Sequence, residues 1–169
     1  MNFQLSEEQR LWRNTVHAFV KKELKPISQE INETEDIPPA LLKKMGPLGL
    51  MGMCVSEAYG GSELDAVSAA IAIEEGAWGD GGIALTLEAH NELGCAAVEL
   101  FGTRDQKERF LSPVTGDSAR LTSLALTEPQ AGSDLQGIQT TAEKRNGSWV
   151  LQGSKAWITN AGRAAFIVT

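Results

Sequence analysis

Cysteine is scarce, basic residues are in the minority and no long apolar run is present, and each shortage removes a class of protein. Two cysteines, Cys54 and Cys95, stand far apart in apolar surroundings. That spacing suggests neither a zinc site nor a secreted disulfide framework, and the expectation is buried thiols in a reducing compartment. Lys and Arg total 15 against 22 Asp and Glu, for a formal charge of -7, with no basic run. Nucleic acid is therefore excluded as the main partner, since a phosphate backbone is bound by clustered cations. No stretch approaches the roughly 18 apolar residues of a membrane helix, and the first ten residues are polar and acidic where a signal peptide is basic and then apolar. A soluble cytoplasmic location is expected. Histidine is limited to His17 and His90, neither with a second ligand or a carboxylate nearby in sequence, so no metal is expected and both read as structural. What remains is globular composition, 42% hydrophobic and 22% charged over 169 residues, enough to bury a core.

Along the chain the texture is first helical and then strand-like. Ser6 with Gln9 has the spacing of a capping box, which starts a helix at Glu7. Trp12, Val16, Phe19, Val20 and Leu24 form its buried stripe, and Pro26 closes or kinks it. Pro38 and Pro39 open a short helix through Met45. Leu48 to Val55 reads as a loop with a short extended piece, followed by a turn at Tyr59–Ser62. Asp65 is the N-cap of an apolar helix to Trp78, Gly79–Gly82 interrupts it, and Ile83–Phe101 is apolar enough for the middle of a bundle, with a bend expected at Gly94. Thr103 with Gln106 caps a last short helix ended by Pro113. A domain boundary falls near 115–122. Asn146-Gly147 marks a hairpin, Ala156–Thr159 a strand, and Ala164–Thr169 a final strand whose apolar edge is expected to lie unpaired. A β region this small must lean on the helices or on further chain.

Two stretches could carry chemistry. In Ala125–Gly137, Thr127, Ser133 and the N–H groups of a glycine-containing loop offer several donors at close quarters, suited to a phosphate or a polar heterocycle. The same residues also suit an ordinary capped loop, with Glu128-Pro129 as turn and Asp134 as cap. In Lys155–Gly162, Trp157 and Thr159 would point the same way on a strand and could hold a planar ring by packing and one hydrogen bond, or form plain strand surface. Glu74, Glu75, Glu88, Glu92 and Glu99 read as helix-surface charges.

Together these stretches resemble the acyl-CoA dehydrogenase family. Thr127-Glu128-Pro129-Gln130-Ala131-Gly132-Ser133-Asp134 fits one family signature, with Gln130 at its variable place, and Trp157-Ile158-Thr159-Asn160 fits a second. Supporting fragments include Leu5–Gln9, Glu57–Gly61, Ala89–Asn91, Leu100–Thr103 and Gln106-Lys107, so the resemblance spans the chain. It implies an α+β protein, with an N-terminal all-α helical domain over residues 1–120 followed by an incomplete β-barrel-like middle domain over 121–169, the family's C-terminal helical bundle being absent from this stretch. It implies FAD as cofactor and an acyl-CoA thioester as substrate, oxidised to 2-enoyl-CoA. Leu126 and Thr127 would meet the flavin's pyrimidine side, and Gly132 and Ser133 the pyrophosphate, with Ser133 also near the acyl-CoA pantetheine. Trp157 would pack beside the isoalloxazine and the Thr159 hydroxyl approach N5. Leu124 stands where some members carry an aromatic contact to the flavin.

The general base of that mechanism is a glutamate matched by no position here and expected beyond Thr169, so no residue of 1–169 is given a catalytic role and turnover by this stretch alone is not expected. Electron-transferring flavoprotein is the redox partner the resemblance implies, and a homo-oligomer, tetramer or dimer, its assembly. An acyl-CoA oxidase or flavin monooxygenase on the same fold stays open. So does a non-catalytic remnant that docks through its helical face and open β edge.

Overall fold

The computed structural model describes residues 4–169. Its first helix, α1 (Glu7–Phe19), starts at the expected capping box: Ser6 Oγ accepts from the Gln9 N–H and Gln9 Oε1 from the Ser6 N–H, each at 3.1 Å. Pro26 kinks the path without ending it. The helix loosens into a π-helical stretch, Val20–Leu24, tightens through Lys25–Ile27 and runs on as α2 (Ser28–Thr34), which the sequence pattern did not reveal. These changes of pitch supply the bend where proline removes a ladder donor. Glu35, at φ 53°, ends α2 in the left-handed conformation.

Helix α3 (Pro39–Met45) follows. The Leu48–Val55 segment then forms turns rather than an extended piece, yet Leu50, Met51, Met53 and Val55 are buried. Such a loop needs outside partners for its backbone, and Asn91 supplies them from the far side of the core. Helix α4 (Ala66–Gly79) begins at Asp65, whose Oδ1 accepts from Val67 and Ser68. The break into α5 (Gly81–Glu88) is made by Asp80, which caps α5 through the Ile83 N–H at 3.0 Å. Its other oxygen accepts from Ser28 and Asn32 of α2. One carboxylate thus sets the corner between two helices and docks a third.

After α5 the chain passes through a second π-helical stretch, Ala89–Cys95, into α6 (Ala96–Phe101) and the capped α7 (Arg104–Phe110). The expected bend near Gly94 is this π turn. Gly94 is needed there because a Cβ would stand 2.2 Å from Thr122 Oγ1 and 2.8 Å from the Ser123 nitrogen. That contact seats β1 (Leu121–Leu124), buried at Leu121, Thr122 and Ser123, against the π turn.

The β part is small. The hairpin of β2 (Thr141–Arg145) and β3 (Ser148–Gln152) turns through Asn146 and Gly147, both at positive φ, and is exposed along its length. Ala156–Thr159 is not a strand: Trp157 at φ 60° and Asn160 at φ 67° interrupt the extended backbone a ladder requires. The last strand, β4 (Ala164–Val168), pairs on one side only, parallel to β1 with Leu124 opposite Val168, and among the described residues its other edge is unpaired, as expected. The core lies among Val16, Val20, Leu24, Met45, Ile83 and Leu87, with Leu121 of β1 joined to it. Among the described residues no helix is long and apolar enough to cross a membrane.

Candidate functional site

Segment 156–160 runs back past β1 in the opposite sense, and four hydrogen bonds fix it there. The Ala156 N–H donates to the Thr127 carbonyl at 3.0 Å. Ser123 Oγ donates to the Thr159 carbonyl at 2.5 Å, and Asn160 Nδ2 donates to the Thr122 carbonyl at 3.2 Å and the Thr86 carbonyl of α5 at 3.0 Å. Residues remote in sequence, Leu126 and Thr127 on one side and Trp157 and Thr159 on the other, are thereby brought together.

Glu128 and Lys155 lock the two segments from beneath. Lys155 Nζ donates to the Leu126 carbonyl at 3.1 Å and to Glu128 Oε1 at 2.9 Å. The buried Glu128 carboxylate also accepts from the Gln139 and Thr140 N–H groups and from Gln130. Hydrogen bonds from Thr140, from the Gln139 N–H and from Lys155 hold this carboxyl well below the usual carboxylate range. The expected turn at Glu128-Pro129 is present, closed by the paired backbone bonds between Glu128 and Ala131, and the buried Glu128 side chain gathers the loop from inside. Asp134 does cap, accepting from the Gln136 N–H.

The surface so formed has a consistent chemistry. Trp157 is 92% exposed on a left-handed backbone that a bulky residue rarely adopts, and Leu126 beside it is 41% exposed. Thr127 and Thr159 are half-buried, and neither hydroxyl has a partner among the described residues. A flat apolar face flanked by two free hydroxyls fits a planar heterocycle with a polar edge. Leu124 is half-buried in β1. Gly132 and Ser133 are exposed beyond the turn that Glu128 and Ala131 close, and a Cβ on Gly132 would meet nothing within 4 Å. No hydrogen bond joins these two to the Thr127–Thr159 group among the described residues. A cleft of 270 Å³ opens beside Thr159, between Thr86, Ile158 and Asn160 on one side and Glu35 and Ile37 on the other.

Two clusters outside this surface correct the sequence reading. Glu75 is buried rather than a surface charge, and His17 does have a carboxylate partner, supplied 58 residues away: Glu75 accepts from Arg13 Nε and meets His17 Nδ1, each at 2.7 Å. Burial alone would raise the Glu75 carboxyl, but hydrogen bonds from Arg13 and His17 outweigh it and hold the group below its ordinary value. Cys54 is only half-buried and lies 3.1 Å from Glu92, and burial together with that carboxylate pushes its thiol up to about 12. Cys95 is buried as expected, against His90 and Thr122.

Ser123 was not singled out from sequence, and Lys155 and Asn160 were read only as parts of the 155–162 stretch, with no role of their own. A serine in a strand and an amide before a glycine carry no signal of their own, because their partners lie in distant elements.

The family model for the acyl-CoA dehydrogenase N-terminal domain matches residues 6–117, and that for the middle domain matches residues 123–169. A probable acyl-CoA dehydrogenase of Bacillus subtilis is 42% identical over 168 residues, 99% of this chain and 44% of its own length. Butyryl-CoA dehydrogenase of Megasphaera elsdenii superimposes with TM-score 0.89 at 38% identity, covering 99% of this chain and 45% of that one. An acyl-CoA dehydrogenase of Bacillus anthracis complexed with FAD gives TM-score 0.88 at 39% identity, over 98% of this chain and 29% of that one. The chain therefore spans less than half the length of these relatives.

Proposed function

The chain belongs to the acyl-CoA dehydrogenase family, and from that premise we propose that it forms the flavin-facing part of an FAD-dependent acyl-CoA dehydrogenase, with a helical unit over 1–120 and the start of the β unit over 121–169. The observation that carries this reading is the nearly bare Trp157 indole near two threonine hydroxyls that have no partner among the described residues, on loops fixed by partly buried bonds. Leu126 and Thr127 are assigned to the pyrimidine edge of the isoalloxazine, Trp157 to its face and the Thr159 hydroxyl to its central nitrogen, with Leu124 as a packing contact. Gly132 and Ser133 are assigned to the pyrophosphate. The bare surface at Gly132 leaves room for a phosphate to approach the backbone, and Ser133 would share its hydroxyl with the pantetheine of the thioester.

When bound, the flavin supplies the two-electron acceptor that takes the β-hydride of an acyl-CoA as the α-proton leaves, giving 2-enoyl-CoA. The chain's own residues bind and orient. The Thr127 carbonyl is committed to Ala156, which leaves its N–H and its hydroxyl, neither bonded among the described residues, to meet a polar ring edge. The Thr159 carbonyl is likewise committed to Ser123, and its hydroxyl has no partner among the described residues. Trp157 excludes water from one ring face. None of the helix glutamates is assigned as general base, and Glu75 is already paired with Arg13 and hydrogen-bonded to His17. Electron-transferring flavoprotein is assigned as redox partner, and homo-oligomerisation as the assembly, by the same family likeness.

The test is the visible spectrum of the purified chain titrated with FAD. Binding with a perturbed flavin band, weakened at least tenfold by Trp157→Ala, supports the reading. A chain that folds and leaves the flavin spectrum unchanged refutes it. Bleaching on anaerobic addition of acyl-CoA would show that a base within 1–169 had been overlooked.

A further inference from the structure

The Trp157–Asn160 loop holds two non-glycine residues at positive φ, Trp157 at 60° and Asn160 at 67°, and presents the most exposed aromatic ring among the described residues. A short segment in such a conformation persists only where its surroundings over-determine it. Within 156–160 the backbone ties are few: Ala156 N–H to Thr127 O at one end, and at the other two short-range turn bonds, Ala161 N–H to Ile158 O at 3.2 Å and Arg163 N–H to Asn160 O at 3.0 Å. The remaining ties are made by two side chains. Asn160 Nδ2 spends its two protons on the carbonyls of Thr86 and Thr122, one on helix α5 and one on strand β1. Ser123 Oγ, next along β1, donates to the carbonyl of Thr159 itself.

We propose that Asn160, assisted by Ser123, is the positioning residue of the flavin surface. Its amide pins the loop simultaneously to α5 and β1, so that the Trp157 ring and the Thr159 hydroxyl are presented in one orientation before any ligand arrives. The proposal rests on the flavin reading above and assigns Asn160 no contact with the reacting atoms. Both acceptors are main-chain carbonyls of packed elements, which side-chain rearrangement does not move. Asparagine is also the ordinary non-glycine residue for a left-handed backbone, so it meets the conformational demand and supplies the donors in one residue. Aspartate would meet the first demand only, because a carboxylate set against two carbonyls has nothing to donate. Preorganisation of this kind raises affinity by removing the cost of ordering the loop on binding.

The experiment compares the whole chain with Asn160→Gly, which keeps the left-handed conformation accessible and deletes both bonds, and with Ser123→Ala, which deletes one. Amide hydrogen exchange without flavin reads the loop directly. Asn160→Gly is expected to speed exchange at Ala156 and Ala161 at least tenfold while the hairpin amides of β2 and β3 are unchanged. FAD titration reads the consequence: affinity lower by about 5- to 150-fold, the range that two hydrogen bonds supply, with an altered visible circular dichroism of the bound flavin. A merely structural residue would lower the unfolding midpoint and leave that spectrum as it is. Ser123→Ala is expected to give a smaller change in the same direction, and it carries the test if Asn160→Gly fails to fold. Unchanged exchange at Ala156 and Ala161 overturns the proposal whatever the flavin does. So does an altered loop that binds FAD with unchanged affinity and spectrum. If the unsubstituted chain shows no flavin binding at all, the flavin reading falls and the positioning role falls with it, a result separable from the others because the exchange data do not involve flavin.

Discussion

Asn91 is the residue whose removal tests most directly how the helical part is built. It sits in the π turn with no exposed surface, and all four of its hydrogen bonds are made within the fold. Its Oδ1 accepts from the Gly52 and Met53 N–H groups at 2.8 and 2.7 Å, and its Nδ2 donates to the Leu50 and Leu87 carbonyls at 3.0 and 2.9 Å. Asn91→Ala strands two amide donors where water has no access, at roughly 1–3 kcal/mol each, and leaves two carbonyls short of a donor. The expected loss is about 3–6 kcal/mol, a large part of the roughly 5–15 kcal/mol by which a domain is stable. Urea unfolding followed by circular dichroism measures it. With a slope near 2 kcal/mol per molar, the midpoint should fall by about 2 M. Exchange at the Gly52 and Met53 amides should quicken in step, since those two groups lose their acceptor. A variant within about 1 kcal/mol of the parent, with those amides still protected, would show that the Leu50–Met53 turn is held by apolar packing alone and that the clamp argument is wrong.

The remaining predictions concern acid and close approach. His90 is buried, with Nδ1 accepting from the Thr122 N–H at 3.2 Å, and burial lowers it from 6.5 to about 4. The unfolded chain therefore takes up this proton first. The His90 contribution to stability is complete above pH 6.5 and drains away as the pH falls through about 4. That is worth about 3 kcal/mol across the window, and His90→Gln should remove this part of the pH dependence. Equal acid sensitivity in parent and variant would exclude His90 as its source. Gly94→Ala places a methyl 2.8 Å from the Ser123 nitrogen and closer still to Thr122. Overpacking should cost about 1–3 kcal/mol, and displacing β1 should weaken FAD binding through the Ser123–Thr159 bond. An alanine tolerated without change in either measurement would mean that the π turn and β1 are not in obligatory contact.

Much of the helical unit was legible in the sequence because its signals are local. Ser6 with Gln9 and Thr103 with Gln106 form the two capping boxes, Asp65 caps α4, and Asn146-Gly147 turns the hairpin, each within a few residues of its partner. The family was legible for a similar reason, since its signatures are contiguous runs. Contacts between distant residues were not. Helix α2 escaped because Pro26 reads as a stop until a π turn carries the chain past it. Glu75 and His17 looked like unrelated helix residues until α1 packed on α4. The 156–160 segment has strand-forming residues, but two left-handed positions cancel that propensity, and they are held in place by Asn160 reaching to carbonyls of α5 and β1 and by Ser123 of β1 reaching to the Thr159 carbonyl. The sequence by itself determined where helices start, where the hairpin turns and to which family the chain belongs, because those depend on neighbours along the backbone. Tertiary structure alone decided that Trp157 stands bare beside Thr127 and Thr159, because that arrangement depends on hydrogen bonds between elements the chain brings together only when folded.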